Sequence, residues 1–174
     1  MKKIAKIALT GFISILGGLC LMGIVNEKLE IETTITVNKP IDIVFQKFND
    51  SNQMGKWMSG FKSIELVKGQ ENEIGSQYRM VIVNSGQETE LLETLLDYRE
   101  NELVKLTYTS TDINGKMEIH FREKDNGTTL VLEKHTMQGN SFSMQCFLPF
   151  MENMIANQIT QDYMAFKKWC EHQN

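Results

Sequence analysis

Residues 116–137 read KMEIHFREKDNGTTLVLEKHTM, and this stretch decides the architecture. Lys116 to Lys124 alternates, with Met117, Ile119 and Phe121 on one face and Glu118, His120 and Arg122 on the other. A period of two marks a half-buried strand. Thr128 to Met137 is rich in β-branched and apolar residues and reads as a second strand. Asn126-Gly127 between them suits a tight hairpin turn, since both residue types tolerate positive φ. Asn114-Gly115, just before the first of the two, reads the same way.

Further strands precede this hairpin. They are Ile64 to Val67, Tyr78 to Asn84 (YRMVIVN), Thr89 to Tyr98 and Leu103 to Ser110 (LVKLTYTS). Leu29 to Val37 (LEIETTITV) alternates and opens the set. Pro40 suits the first turn of a helix. Ile41, Val44, Phe45 and Phe48 follow it at helical spacing, and a second short helix holds Met54, Trp57 and Met58. The chain closes in a long helix from Phe142 or Pro149 to His172. Phe147, Met151, Ile155, Ile159, Tyr163, Phe166 and Cys170 make its apolar stripe. Pro149 either starts the regular helix or kinks it. The expected class is therefore α+β. A curved antiparallel sheet of about seven strands wraps one long C-terminal helix, because that helix is the only long cover for its apolar face.

Ahead of this domain, Ile7 to Val25 (IALTGFISILGGLCLMGIV) carries no charge. It is long enough to cross ~30 Å of hydrocarbon as a helix. Lys2, Lys3 and Lys6 precede it and Glu27, Glu30 and Glu32 follow it. The positive-inside rule then places the N-terminus in the cytoplasm and the domain outside. Residues 1–27 are expected to be a single transmembrane anchor and 28–174 the domain. A cleaved signal peptide is the alternative.

The chain has 18 basic and 22 acidic residues, a net charge of −4. Without Lys2, Lys3 and Lys6 the domain has 15 against 22, a net of −7. An acidic domain without a basic stripe argues against nucleic acid. Cys20 lies in the apolar segment, and Cys146 and Cys170 flank the long helix, about 36 Å apart at helical rise. No disulfide, metal site or redox pair is expected. No nucleotide loop, nucleophile elbow or zinc motif occurs, so no cofactor is implied.

Several segments resemble the START-like or SRPBCC superfamily, which includes polyketide cyclase/dehydrase-like and lipid-transfer proteins. They are ITVNKPIDIVFQKFND, Lys56-Trp57-Met58, ELVKG with Ile74-Gly75-Ser76, ETLLDYRENELVKLTY, NGTTLVLEK and the terminal FKKWCEH. They span about residues 30 to 172. The resemblance implies a helix-grip fold with a hydrophobic cavity, and no single activity. It also implies a lid near Trp57.

The candidate ligand-binding residues are Trp57, Tyr78, Met80, Leu106, Tyr108, Phe121, Phe147 and Met151. The 11 methionines suit a wall that adapts to apolar ligands. Core packing is the competing reading for each of these side chains. Ionisable candidates are fewer. His120 shares a face with Glu118 and Arg122, and His135 with Glu133. If the two strands are hairpin partners these faces adjoin, either as a proton-transfer or metal site or as a solvated outer face with ion pairs. Lys134 alternates with Leu130 and Leu132 and so points inward or to the rim. Glu93 shares a face with Leu91 and Leu95 and either enters the cavity as an acid or base or sits at the rim. The favoured function is binding of a hydrophobic small molecule or lipid at a membrane surface. A cyclase/dehydratase-like enzyme and a cavity-less interaction domain are the alternatives.

Overall fold

The computed structural model describes residues 28–124 and 127–172. Seven strands form one sheet: β1 (Leu29–Val37), β2 (Phe61–Lys68), β3 (Gln77–Asn84), β4 (Gln87–Arg99), β5 (Leu103–Thr109), β6 (Ile113–Lys124) and β7 (Thr128–Gly139). Their order is β1-β7-β6-β5-β4-β3-β2, every neighbouring pair antiparallel. Helix α1 (Ile41–Asn49) and helix α2 (Phe142–His172) lie on its inner face. The second short helix expected at Met54 to Met58 is a single 3-10 turn, Met54–Lys56. The expected span at residues 7–25 lies outside the described residues. Among the described residues no helix is long and apolar enough to cross a membrane.

The core follows from the alternation. Phe121, Val131 and Ile35 sit in one row across β6, β7 and β1. Val44, Phe45 and Phe48 of α1 and Phe166 and Cys170 of α2 pack on them. The Phe48 ring lies 5.4 Å from Phe121, 5.2 Å from Phe166 and 5.2 Å from Trp57. Edge-on and tilted aromatic contacts of this kind add about 0.5–1.5 kcal/mol each beyond area burial. Trp57 is 5 % exposed and belongs to this core. Among the described residues the core runs from Leu29 to Cys170.

The two sheet edges are closed differently. The Lys167 ammonium donates to the Thr36 carbonyl and the Asn38 N–H to Glu171 Oε1 at 2.8 Å, so α2 shields β1. Strand β2 is charged and carries two register irregularities, which discourage edge-to-edge pairing.

Two expectations about turns are corrected. Asn114 and Gly115 are inside β6, opposite Thr109 and Tyr108. The reversal falls at Ser110, whose hydroxyl accepts from the Ile113 N–H at 3.1 Å. Gly115 is needed for a different reason: a Cβ there would stand 2.2 Å from the Tyr108 ring. At the other hairpin Lys124 pairs with Thr128, so the loop has three residues and Gly127 takes φ 67. A two-residue turn at Asn126-Gly127 would pair Asp125 with Thr128 and hence Glu118 with His135. The observed register is one residue away, and a one-residue slip flips a strand's faces relative to its partner.

Helix α2 also departs from its expected stripe. Cys146, Leu148, Tyr163, Phe166 and Cys170 are its buried residues, while Phe147 is 63 % exposed. A run of four-residue steps advances about 40° past a full turn each time. Over the four steps to Tyr163 the drift is about 160°, which carries Phe147 to the other side of the helix.

Candidate functional site

The sheet register builds the site. Directly opposed residues on antiparallel strands share a face. One row runs Leu29, Met137, Gly115, Tyr108, Glu93, Tyr78 and Leu66 across the whole sheet. The next holds Ile31, His135, Met117, Leu106 and Leu95, and the one beyond it Thr33, Glu133 and Ile119. These rows put Glu93, Tyr108, His135, Glu133 and Thr33 on the inner face among apolar side chains.

The polar groups are linked. Tyr108 Oη and His135 Nε2 are 2.6 Å apart. His135 Nδ1 lies 3.5 Å from Glu133 Oε1, too long for a good hydrogen bond. The Tyr163 hydroxyl of α2 stands beside the Glu133 carboxyl and favours its charged form. Tyr108 stands within electrostatic reach of both Glu93 and Glu133. A tyrosine, a histidine, a carboxyl and a second tyrosine thus form a chain, with Glu93 beside its first member.

Burial sets the protonation. It pushes the Glu93 carboxyl, 5 % exposed, up to about 7. It raises Glu133 to about 7 as well, against the opposing pull of the Tyr163 hydroxyl. His135 is driven down to about 4, so its imidazole is neutral near pH 7. Burial likewise holds the Tyr108 and Tyr163 hydroxyls protonated, well above the ordinary phenol range. Two carboxyls poised near neutrality beside a neutral histidine are suited to proton transfer. They are equally suited to hydrogen-bonding the polar end of a ligand. Among the described residues no group of three or more ligands is placed to hold a metal.

The expected site residues divide. Tyr78, Met80, Leu106 and Tyr108 lie on the inner face of β3 and β5, and Phe121 and Trp57 in the aromatic core. Phe147 and Met151 lie on the flank of α2 away from Lys167 and Glu171, the residues that bond β1. Phe45 of α1 packs on Tyr98 of β4, ring centroids 5.5 Å apart, and Leu95 and Val104 join the same core. His135 and Glu133 are inside, not on a solvated outer face, and His120 is on the opposite face from them. Lys134 points outward, its side chain 56 % exposed and 3.9 Å from Glu32. Glu93 is buried rather than at a rim. Thr33, Gly115 and Tyr163 were not singled out as site residues by the sequence. Only a correct β6–β7 register would have placed Glu133 inside, whereas the alternation of β1 already puts Thr33 on the face of Leu29, Ile31, Ile35 and Val37. The expected outer-face ion pairs do exist: Glu118 bonds Lys116 at 2.5 Å and Lys105 at 3.2 Å. An open hollow of about 440 Å³ lies over this charged face, lined by Glu30, Glu32, Lys116, Glu118 and Lys134 among others.

Comparison with known proteins places the fold. Zhui aromatase/cyclase from a Streptomyces species superposes with a TM-score of 0.70 at 14% identity, covering 83% of this chain and 94% of that one. A START superfamily protein from Mycobacterium smegmatis does so with a TM-score of 0.68 at 11% identity, covering 82% and 97%. At such identities the likeness is one of fold alone. No curated protein matches the chain by sequence. The sequence profile described as polyketide cyclase / dehydrase and lipid transport matches residues 28–170, the whole sheet and nearly all of α2, and the chain belongs to that family.

Proposed function

We propose that the domain binds an apolar small molecule or lipid between the inner face of β3 to β5 and the free flank of α2. Residues 7–25 would tether it to a membrane with the domain on the extracytoplasmic side. The observation that carries the reading is the group of exposed apolar side chains on α2, in a domain whose inner sheet face is apolar. Tyr78, Met80 and Leu106 belong to that inner face, on β3 and β5. On α2, Phe147, Phe150 and Met154 are 63 %, 54 % and 60 % exposed, round the helix from its buried Tyr163. At 100° per residue, Phe147 and Met154 stand about 140–160° round the helix from Lys167, which faces β1. Exposed apolar side chains gathered in one place mark a binding surface.

The test uses residues 28–174, which hold both apolar clusters of the described domain. Saturable binding of the neutral dye Nile red, weakened by Leu106→Trp, is expected. A cooperatively melting domain that takes up no dye rules the reading out.

A second reading, an enzyme of the cyclase/dehydratase kind, is supported by Glu93 and Glu133, both near 7. The two readings part on the fate of the ligand. A compound recovered unchanged in mass after incubation with either wild type or Glu93→Gln speaks for a carrier. Loss of water with wild type only speaks for the enzyme.

A further inference from the structure

The buried polar row is selective in the kind of end group it accommodates. Thr33 Oγ1, Glu133 Oε2 and His135 Nδ1 are buried and have no hydrogen-bond partner. They are neighbours: Thr33 faces Glu133 across the β1–β7 ladder, and His135 is the next residue of β7 on the same face. Thr33 is 6 % and Glu133 3 % exposed. Each unpaired buried group costs about 1–3 kcal/mol, so three in one place mark a position that a polar partner stabilises. Tyr108 Oη and His135 Nε2 are 2.6 Å apart, and with the phenol as donor the imidazole proton sits on Nδ1, which then faces this position as a donor. Glu133 Oε2 faces it as an acceptor, and the Thr33 hydroxyl can act as either.

The charges nearby decide what that partner can be. Among the described residues the buried polar and charged side chains are Thr33, Ser76, Glu93, Thr129 and Glu133, with no lysine or arginine. Lys105 and Lys116 bond Glu118 on the outer face, and Lys134 faces Glu32 there. Arg79 is committed to Glu65 and Glu90. An anionic end brought to the inner face would therefore meet two carboxyls and no counter-cation. Burying a charge without a partner is strongly unfavourable. A hydroxyl donates to Glu133 Oε2 and accepts from His135 Nδ1–H. An ammonium donates to the same carboxyl and is stabilised by its ionised form.

We infer that this row seats the hydrogen-bond-donating end, an alcohol or an amine, of an otherwise apolar molecule, and rejects a carboxylate or phosphate end. The inference rests on the binding reading above, and its test separates the two. Decanol, decylamine and decanoate share one tail. Each is titrated against Nile red on residues 28–174, after a cooperative thermal melt has been recorded. Decanol and decylamine are expected to displace the dye about tenfold more tightly than decanoate, roughly 1.4 kcal/mol. In Glu93→Gln/Glu133→Gln the gap should close to within about threefold, roughly 0.65 kcal/mol. Thr33→Val, which keeps the shape, should weaken decanol alone. Dye binding with no preference among the three ends, or a preference for decanoate, overturns the inference and leaves the binding reading standing. Absence of dye binding overturns both. If the excised domain does not melt cooperatively, the full chain in lipid nanodiscs is labelled with tail-diazirine forms of the three compounds. Labelling of β1 and β7 peptides by the alcohol and amine but not the carboxylate is then the expected result, and equal labelling the contrary one.

Discussion

Glu118 on β6 and Glu133 on β7 occupy adjacent rungs of one ladder, Glu118 opposite Lys134 and Glu133 opposite Ile119. Glu118 points outward between Lys116 and Lys105, whose hydrogen bonds hold its carboxyl down at about 2. Glu133 points inward, and burial raises it to about 7. Two identical side chains on neighbouring strands are driven to opposite ends of the carboxyl range. The ordinary value is 4.5 for both. Which face a residue occupies therefore decides its chemistry, and in a strand that is settled by a phase of one residue.

The most direct way to break the comparison is to disturb the packing that admits polar groups to the inner face. In Gly115→Ala the added Cβ would stand 2.2 Å from Tyr108 atoms on the facing strand. Displacing Tyr108 also breaks its bond to His135. A loss of more than about 3 kcal/mol in chemical denaturation is expected, at the upper end for overpacking. Gly115→Ala with Tyr108→Ala in the same chain should recover part of that loss.

The second way is pH, where the two faces respond with opposite sign. A carboxyl raised in the folded state binds more protons there than in the unfolded chain. Its contribution is full below the unfolded value of 4.5 and is lost as pH rises through about 7. Between pH 5 and 8 Glu93 and Glu133 should each remove about 2.5 kcal/mol of stability. His135, lowered to about 4 from 6.5, binds fewer protons when folded and returns about 2 kcal/mol over the same range. The net fall is about 3 kcal/mol, measurable in thermal or urea melts. Glu93→Gln should flatten most of it and make the protein more stable than wild type at pH 8. An unchanged slope in that variant would place Glu93 in water. Glu118 behaves the other way: its contribution is present above 4.5 and is lost as pH falls towards 2.

The smallest effect sharpens the contrast. Glu118 lies on a solvated face, where ion pairs are worth at most about 1 kcal/mol. Glu118→Gln should cost less than that at pH 7. It should remove the acid-side dependence while leaving the fall between pH 5 and 8 intact.

Much of this arrangement was legible in the residues. The strand of alternating Met117, Ile119 and Phe121 faces inward as its pattern requires. The first strand and first helix fall where their periodicity and Pro40 put them. The resemblance to the START-like superfamily stands with the family match. Other readings needed more than pattern. In Thr129-Leu130-Val131-Leu132 both phases are apolar, so the alternation could not say which residues of β7 face inward. The face of Glu133, His135 and Lys134 then hung on loop length, and the Asn-Gly pair suggested a two-residue turn where three residues are used. In α2 the four-residue spacing read as one stripe, although its drift spreads those residues round the helix.

By itself, then, the sequence determined the elements and the outer charge pattern, because these depend on periodicity within one segment. It also determined that a long apolar stretch precedes the domain. The buried chain from Tyr108 through His135 and Glu133 to Tyr163 was decided by the tertiary structure alone. Its members come from β5, β7 and α2, and their protonation depends on how completely those elements exclude water from one another. Burial and cross-strand register are relations between segments, and no single segment contains them.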